Sequence, residues 1–194
     1  MTQRSPLIIP CDISSESDVL NMVKKIREQY SHVDVLINNA GVGKYIPSEE
    51  MSNQEMRTHF EVNVFGAFYC IKAVLPLLKN QNGGYILNVA SLFSLLSFSD
   101  VSVYAATKFA LAGFTKGLRQ EFQKYNISVG LLMPASINTP FQDKKEGSRK
   151  SPKFMILKSE NVANEIAGMI EKEKKELILP KWITPFVKLK CAFS

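Results

Sequence analysis

Glycine is missing from the first 40 residues of this chain of 194 residues, and the first glycine is Gly41. Phosphate-binding turns between a strand and a helix need closely spaced glycines, because the backbone must approach the phosphate without side chains in the way. The residues before Gly41 therefore contain no glycine-rich phosphate-binding turn.

Cysteines are also few. Cys11, Cys70 and Cys191 are widely spaced and form no CxxC pair. Such a set predicts neither a disulfide framework nor a zinc site, so no metal is expected. The N-terminus lacks the apolar core of a signal peptide, and the reducing cytoplasm is the expected compartment. No apolar run approaches the ~20 residues of a membrane-spanning helix.

The chain has a net charge of +6 and a pI near 9.2, which permits anionic partners but selects none. Its basic residues are densest at Lys144, Lys145, Arg149, Lys150 and Lys153. No nucleic-acid motif accompanies them, so nucleic-acid binding is not expected. The tail 181–194 is apolar with scattered lysines. It either packs on its own domain, which is the favoured interpretation, or contacts a membrane surface.

Apolar runs that suit strands alternate with segments of helical spacing. Strands are predicted at 6–10, 33–38, 85–91, 127–134 and 176–180. Helices are predicted at 15–30, 103–125 and 159–174, and a longer helix runs from a capping box at Ser52 and Glu55 to the turn before Gly83. This alternation predicts a single α/β domain over 1–194, with a parallel sheet covered on both faces.

Polar and small residues follow three of the predicted strands. Residues 38–41 follow the second strand, Ser91 follows the third, and residues 134–139 follow the fourth. Ligands bind at the carboxyl ends of the strands in open parallel sheets. We therefore expect these residues to line one binding cleft.

Tyr104 and Lys108 give the sharpest single indication of chemistry. Their four-residue spacing on a helix places both side chains on one face, one turn apart. A phenol titrates near pH 10, and a neighbouring ammonium lowers its pKa, so this tyrosine can exchange a proton with a carbonyl or alcohol oxygen. The alternative is a tyrosine packed beneath a surface lysine, and the spacing alone does not decide between them.

Several further segments occur in a specific order along the chain, namely CDIS, NNAG, NVFG, Ser91, YAATK and PASINT. As a set they resemble the short-chain dehydrogenase/reductase family over about residues 7–180. The resemblance implies a Rossmann-like doubly wound sheet. It also implies an NAD(P)-dependent oxidoreductase that interconverts a carbonyl and an alcohol by hydride transfer. The choice between NAD and NADP stays open.

The resemblance also implies the catalytic roles. Tyr104 would be the general acid in reduction and the base in oxidation, while Lys108 would lower its pKa and hold the nicotinamide ribose. Ser91 would hydrogen-bond the substrate oxygen. Asn63 would anchor a water in a proton relay, and the alternative for Asn63 is a kink in its helix.

For the cofactor, the resemblance implies a cleft lined by Asp12, Asn38, Ala40, Gly41, Tyr104, Lys108, Pro134, Ile137 and Thr139. Asp12 would contact the adenine, and Ile137 and Thr139 would meet the nicotinamide carboxamide. Two alternatives stay open, because Asp12 also suits a cap beside a helix and Asn38 also suits a tie between strands. His59 matches no family site and is predicted to lie on a helix surface.

The chain departs from the family pattern at two places. The family's Pro-Gly after the sixth strand is Pro134-Ala135 here, from which a modest effect is expected. The family's TGxxxGxG turn, with the first two strands and helices, has no counterpart before Leu7, so the domain is predicted to be truncated at its N-terminus.

Without those two strands, the strand at 33–38 would be an exposed apolar sheet edge, which favours aggregation. We therefore expect the strand at 6–10 to pair beside it. The helix at 15–30 would join the two by a right-handed crossover.

A small apolar carbonyl or alcohol is the expected substrate, because the family's substrate loop here contains Leu92, Phe93, Leu95, Leu96 and Phe98. The segment 135–158 corresponds to the family's mobile substrate lid. Family members are commonly dimers or tetramers, so a homo-oligomer is expected through the helices of Asn63 and Tyr104. The alternative function is a catalytically impaired remnant that acts as an interaction subunit with full-length relatives.

Overall fold

The computed structural model describes residues 6–139, 141 and 151–192. Its central element is a parallel sheet of four strands in the order β1-β2-β3-β6. These strands are β1 (Val35–Asn38), β2 (Gly84–Val89), β3 (Ile127–Pro134) and β6 (Glu176–Leu179). A second parallel pair, β4 (Ser136–Asn138) and β5 (Ile156–Lys158), lies in the segment predicted to be irregular.

Helices connect the strands, close to the predicted positions. They are α1 (Glu16–Gln29), α2 (Asn53–Phe60), α3 (Ala67–Asn80), α4 (Ser102–Phe122), α5 (Ser159–Glu171) and α6 (Thr184–Ala192). The predicted capping box is present at α2, where Ser52 Oγ accepts from Glu55 N at 3.2 Å and the Glu55 carboxylate accepts from Ser52 N at 2.9 Å. A π-helical segment, Glu61–Gly66, joins α2 to α3.

Helices cover both faces of the sheet, which confirms the doubly wound α/β prediction. On one face, Ile86 of β2 and Val129 of β3 pack in a core with α1, α3 and α4. On the opposite face, Leu87 and Leu132 pack with Val162 of α5. Successive side chains of a strand point to opposite faces, so β2 and β3 are buried on both sides and their sequences are continuous apolar runs.

Residues 6–10 do not form the predicted strand. They have no regular structure, Ile8 is 83% exposed, and β1 pairs with β2 alone within the described part of the chain. The hypothesis that this segment pairs beside β1 is therefore wrong. Pro6 and Pro10 have no N–H to donate to a strand ladder, which explains why a short apolar run between them stays unpaired.

The two helices around the π-helical segment form one continuous helix of 28 residues, Asn53–Asn80. By length and composition alone it is long and apolar enough to cross a membrane. The sequence, judged only by its uninterrupted apolar runs, predicted no segment of that length. Its inner face packs in the core through Ile71, Val74 and Leu78. Core helices of globular domains pass the same test, so this length by itself indicates no membrane span.

Candidate active site

A cavity of about 740 Å³ opens at the carboxyl ends of β1, β2 and β3. Its walls include residues 39–41 after β1, residues 89–93 around the end of β2, and residues 134–137 and 139 after β3. These are the three places where the sequence predicts a binding cleft. The parallel arrangement brings them together because all three strands end at the same edge of the sheet.

Tyr104 reaches this cavity from the first turn of α4. Its side chain is 5% exposed and is hydrogen-bonded to Ser91. Burial raises the pKa of Tyr104 to about 12, and the hydrogen bond with Ser91 opposes that shift. The phenol therefore keeps its proton at neutral pH. The lowered pKa expected for Tyr104 does not occur in this structure.

Lys108, the residue expected to lower the pKa of Tyr104, is itself buried. Its side chain is 4% exposed, and Nζ donates to Val89 O at 3.3 Å. Burial lowers the pKa of Lys108 to about 8, because the ammonium loses its hydration. Nζ lies 5.7 Å from the centroid of the Tyr104 ring. At neutral pH the amine is mostly protonated, and at this distance its charge does not offset the cost of burying the phenolate.

Asn63 connects the loop after β1 to α4 through hydrogen bonds of its side chain. It lies in the π-helical segment and is 2% exposed. Its Oδ1 accepts from Val42 N at 2.8 Å, and its Nδ2 donates to Val42 O at 2.9 Å and to Thr107 Oγ1 at 3.0 Å. π-Helical turns are frequent at functional sites. The observed role of Asn63 is positional, and its role in a proton relay stays a prediction.

Gly41 lies between Asn63 and Lys108. A Cβ atom at this position would be 3.1 Å from Asn63 Oδ1 and 3.6 Å from Lys108 Nζ. Two residues further on, a Cβ at Gly43 would be 3.3 Å from the Tyr104 ring. The loop backbone therefore approaches the catalytic candidates closely, and a side chain at either glycine would force its neighbours to shift by a few tenths of an ångström.

His59 is a site-supporting residue that the sequence did not predict. It is 5% exposed, so the prediction of a surface position is wrong. Its Nε2 accepts from Lys44 N at 2.9 Å, and its Nδ1 donates to Glu55 O at 2.7 Å. Lys44 precedes Tyr45, whose ring centroid lies 5.4 Å from that of Tyr104. One feature of the sequence could have indicated its role: His59 lies one helical turn before Asn63, the predicted catalytic asparagine.

Two of the residues predicted to contact the cofactor form hydrogen bonds with other residues of the chain. Asp12 Oδ1 accepts from Ser14 N at 2.9 Å and from Ser14 Oγ at 2.7 Å, in the turn that leads into α1. Asn38 Nδ2 donates to Asn88 Oδ1 at 2.8 Å and ties β1 to β2. Both contacts match the structural alternatives. Asn39, one of the residues 38–41 expected to line the cleft but not named as a cofactor contact, is the asparagine on the cavity wall.

The remaining wall of the cavity is mostly apolar. From the loop after β2 it includes Leu92, Phe93, Leu96 and Phe98, as predicted for the substrate side. Leu95 instead packs against the core. From the predicted lid and the tail it includes Phe141, Phe154, Met155, Trp182 and Ile183. The basic residues at 144–150 lie outside the described residues.

The chain belongs to the short-chain dehydrogenase family, whose model matches residues 2–150. Retinol dehydrogenase 8 of Bos taurus is 39% identical over 133 residues, covering 69% of this chain and 42% of the relative. The 17-beta-hydroxysteroid dehydrogenase 13 of Homo sapiens is 30% identical over 183 residues, covering 92% of this chain and 59% of the relative.

Solved structures agree with this assignment. The 3-ketoacyl-(acyl-carrier-protein) reductase from Brucella melitensis, complexed with NADH, is 27% identical with a TM-score of 0.82, and the match covers 90% of this chain and 78% of that one. The Rossmann-like doubly wound fold is therefore that of the family. Among curated relatives, the chain spans 61% of a Schizosaccharomyces pombe oxidoreductase and 42% of the bovine protein.

Proposed function

We propose that this chain contains the catalytic site of a nicotinamide-dependent oxidoreductase that interconverts an apolar carbonyl compound and its alcohol. The observation that carries the proposal is the pair of hydrogen-bonded hydroxyls, Tyr104 and Ser91, in one apolar cavity with the buried amine of Lys108. A positioned proton donor and a second hydroxyl can protonate a carbonyl oxygen and stabilise the negative charge that develops on it during reduction.

The cavity residues fit the nicotinamide end of a dinucleotide. Asn39, Ala40, Gly41, Ile137 and Thr139 offer backbone and side-chain polar groups along one wall. The Lys108 amine adds a donor at the base of that wall, and a solved relative is complexed with NADH. When bound, the nicotinamide would supply or accept the hydride. Pro134 lies on the same wall, and a contact of Asp12 with adenine stays a prediction.

In the direction of reduction, Ser91 donates a hydrogen bond to the carbonyl oxygen and holds it beside the phenol. The Tyr104 hydroxyl then gives its proton to this oxygen as negative charge develops there. A pKa raised to about 12 keeps the phenol protonated and ready to donate at neutral pH. In the direction of oxidation the phenolate must form first, so oxidation should gain rate as the pH rises.

The substrate side of the cavity supports an apolar substrate. Its walls carry phenylalanine, leucine, methionine and tryptophan, and a volume of about 740 Å³ is within the usual range for small-molecule sites. The two curated relatives described above are named for retinol and for hydroxysteroids, which are alcohols on large apolar frameworks. We therefore place the substrate of this chain in the same chemical class.

A homo-oligomer is part of the proposal. Phe65, Phe68 and Phe109 are 47%, 41% and 45% exposed on the helices that carry Asn63 and Tyr104. Exposed aromatic residues on neighbouring helices support a subunit interface at this face. Sedimentation of the purified chain tests it, and a monomer at micromolar concentration would contradict it.

Cofactor binding is the first test of the catalytic proposal. Trp182 is the only tryptophan of the chain and lies on the cavity wall, so bound NADH or NADPH should quench its emission by energy transfer. Titration with both dinucleotides should also show which one is preferred. No change in Trp182 emission or in dinucleotide fluorescence up to millimolar concentration would contradict the proposal.

The second test addresses Tyr104. Reduction of retinal and of a 17-ketosteroid should be followed by the loss of NADH or NADPH absorbance. Tyr104→Phe should lower kcat by roughly 10²–10⁴-fold while dinucleotide binding is retained, because only the proton donor is removed. Tyr69→Phe is the matched control, since Tyr69 lies on α3 beside α1 and outside this cavity. A Tyr104→Phe variant that turns over like the control would remove Tyr104 from the mechanism.

A further inference from the structure

The mouth of the cavity carries large apolar side chains that face solvent. Phe154 and Trp182 line the cavity and are nevertheless 69% and 53% exposed, with ring centroids 6.2 Å apart. On α6, Phe186 and Leu189 are 67% and 60% exposed. We call these four residues the apolar rim. Single exposed apolar residues are ordinary, but a group at a site entrance indicates a contact surface.

Helix α6 is continuous with the cavity wall. The turn Lys181–Ile183, which includes Trp182, leads directly into α6. Val187 is 3% exposed and anchors one side of the helix on the domain. Lys190 Nζ lies 5.1 Å from the ring centroid of Phe98, another residue of the cavity wall. Phe186 and Leu189 are therefore exposed beside the entrance, together with Lys190.

Most of the charged side chains around the rim are basic. The segments 151–158 and 180–192 contain five lysines and no acidic residue. Lys153 and Lys158 are exposed, and Lys181 pairs with Glu165 of α5 at 2.5 Å. Tryptophan, phenylalanine and leucine mixed with lysine are typical of surfaces that lie in the interface of an anionic bilayer. Interfaces with proteins are instead depleted in lysine.

We propose that the apolar rim docks the cavity entrance onto an anionic phospholipid surface. Trp182, Phe186 and Leu189 would lie at the level of the lipid headgroups, with Lys153, Lys158 and Lys190 beside the lipid phosphates. An apolar substrate dissolved in the bilayer could then enter the cavity without crossing water. This last step rests on the proposed function, whereas the docking itself needs neither cofactor nor substrate.

The docking is tested on the purified chain without cofactor. Vesicles of phosphatidylcholine alone and of phosphatidylcholine with phosphatidylserine are the probes. Co-sedimentation should occur with the serine-containing vesicles and weaken as salt is raised. Because Trp182 is the only tryptophan, its emission should shift to the blue on binding and be quenched by brominated lipids. No co-sedimentation, or no quenching of Trp182 in the bound protein, would overturn the proposal.

A comparison of two double variants tests whether α6 is the part of the protein that contacts the vesicles. Phe186→Ser with Leu189→Ser should weaken vesicle binding by roughly tenfold or more, because both side chains lose their transfer into the interface. The matched control is Ile8→Ser with Leu20→Ser, which also removes two exposed apolar side chains, 83% and 55% exposed, from other elements. The control should bind like the unaltered chain.

Two outcomes of that comparison would overturn the proposal. The first is an equal loss of vesicle binding in both double variants. The second is a smaller oligomer for the variant of α6 together with unchanged vesicle binding, which would assign the rim to a second copy of the chain. Dinucleotide binding is measured in parallel, so a failure of docking is distinguished from a failure of the proposed function.

Discussion

The burial of Lys108 lowers the free energy of unfolding by an amount that can be measured. Burial lowers its pKa from 10.5 to about 8. At 1.36 kcal/mol per unit, an ammonium at this position costs about 3 kcal/mol of folding free energy. Methionine would remove that cost but lose the hydrogen bond to Val89 O, which contributes about 1 kcal/mol. Lys108→Met should therefore raise the free energy of unfolding by about 2 kcal/mol at pH 6.

The sign of this effect depends on pH in a defined window. Below pH 8 the lysine is protonated in both the folded and the unfolded chain, so the full cost is present. Between about 8 and 10.5 the unfolded chain binds more protons than the folded one, so the unaltered protein gains stability as the pH rises. The advantage of Lys108→Met should shrink across this window and become a deficit of about 1 kcal/mol above it, where only the lost hydrogen bond remains.

Urea unfolding followed by Trp182 emission at both ends of the window measures the difference. The raised pKa of Tyr104 is common to the unaltered protein and the variant, so its contribution cancels in the difference between their free energies of unfolding. Lys116→Met is the matched control, because Lys116 is exposed on the same helix, and its effect should stay within about 0.5 kcal/mol. A stability difference that is independent of pH, or a destabilised Lys108→Met at pH 6, would refute the reasoning.

Two further predictions concern the loop after β1. Gly41→Ala should cost about 1 kcal/mol, because the new methyl group would lie 3.1 Å from Asn63 Oδ1. In urea unfolding, its effect and that of Asn63→Ala should differ from additivity by at least ~0.5 kcal/mol, and additive effects would contradict the contact. His59→Leu should cost about 1–2 kcal/mol by removing the acceptor of Lys44 N–H, and His59→Gln should recover part of it. Equal losses for the two variants would assign the effect to packing alone.

Most of the secondary structure is predictable because its signals are local. The capping box at Ser52 and Glu55 forms as predicted, and Ser15 caps α1. The continuous apolar runs of β2 and β3 indicate strands buried on both faces, and their packing confirms it. Residues 6–10 were predicted to be a strand and are not one. A strand must pair with a second strand, and an apolar run does not by itself specify that partner.

The candidate site was predictable in its residue types and less so in its geometry. Ser91, Tyr104 and Lys108 meet in one cavity, because each follows or faces the carboxyl end of a strand. Both Asn38 and Asn39 were expected beside the cleft and Asn38 was assigned to the cofactor, but only Asn39 lies on the cavity wall. Consecutive residues point to opposite sides, and the partner that orients Asn38 is Asn88, 50 residues away. No local pattern carries that information.

The sequence by itself determined which chemical groups this protein has, their order along the chain and the helices and strands that carry them. Periodicity and capping are properties of neighbouring residues, so they can be read without a structure. Only the tertiary structure decided that His59 is buried, that β1 pairs with β2 alone among the described strands, and that burial moves the pKa of Lys108 and Tyr104 in opposite directions. Burial and hydration depend on contacts between distant segments, and those exist only once the chain has folded.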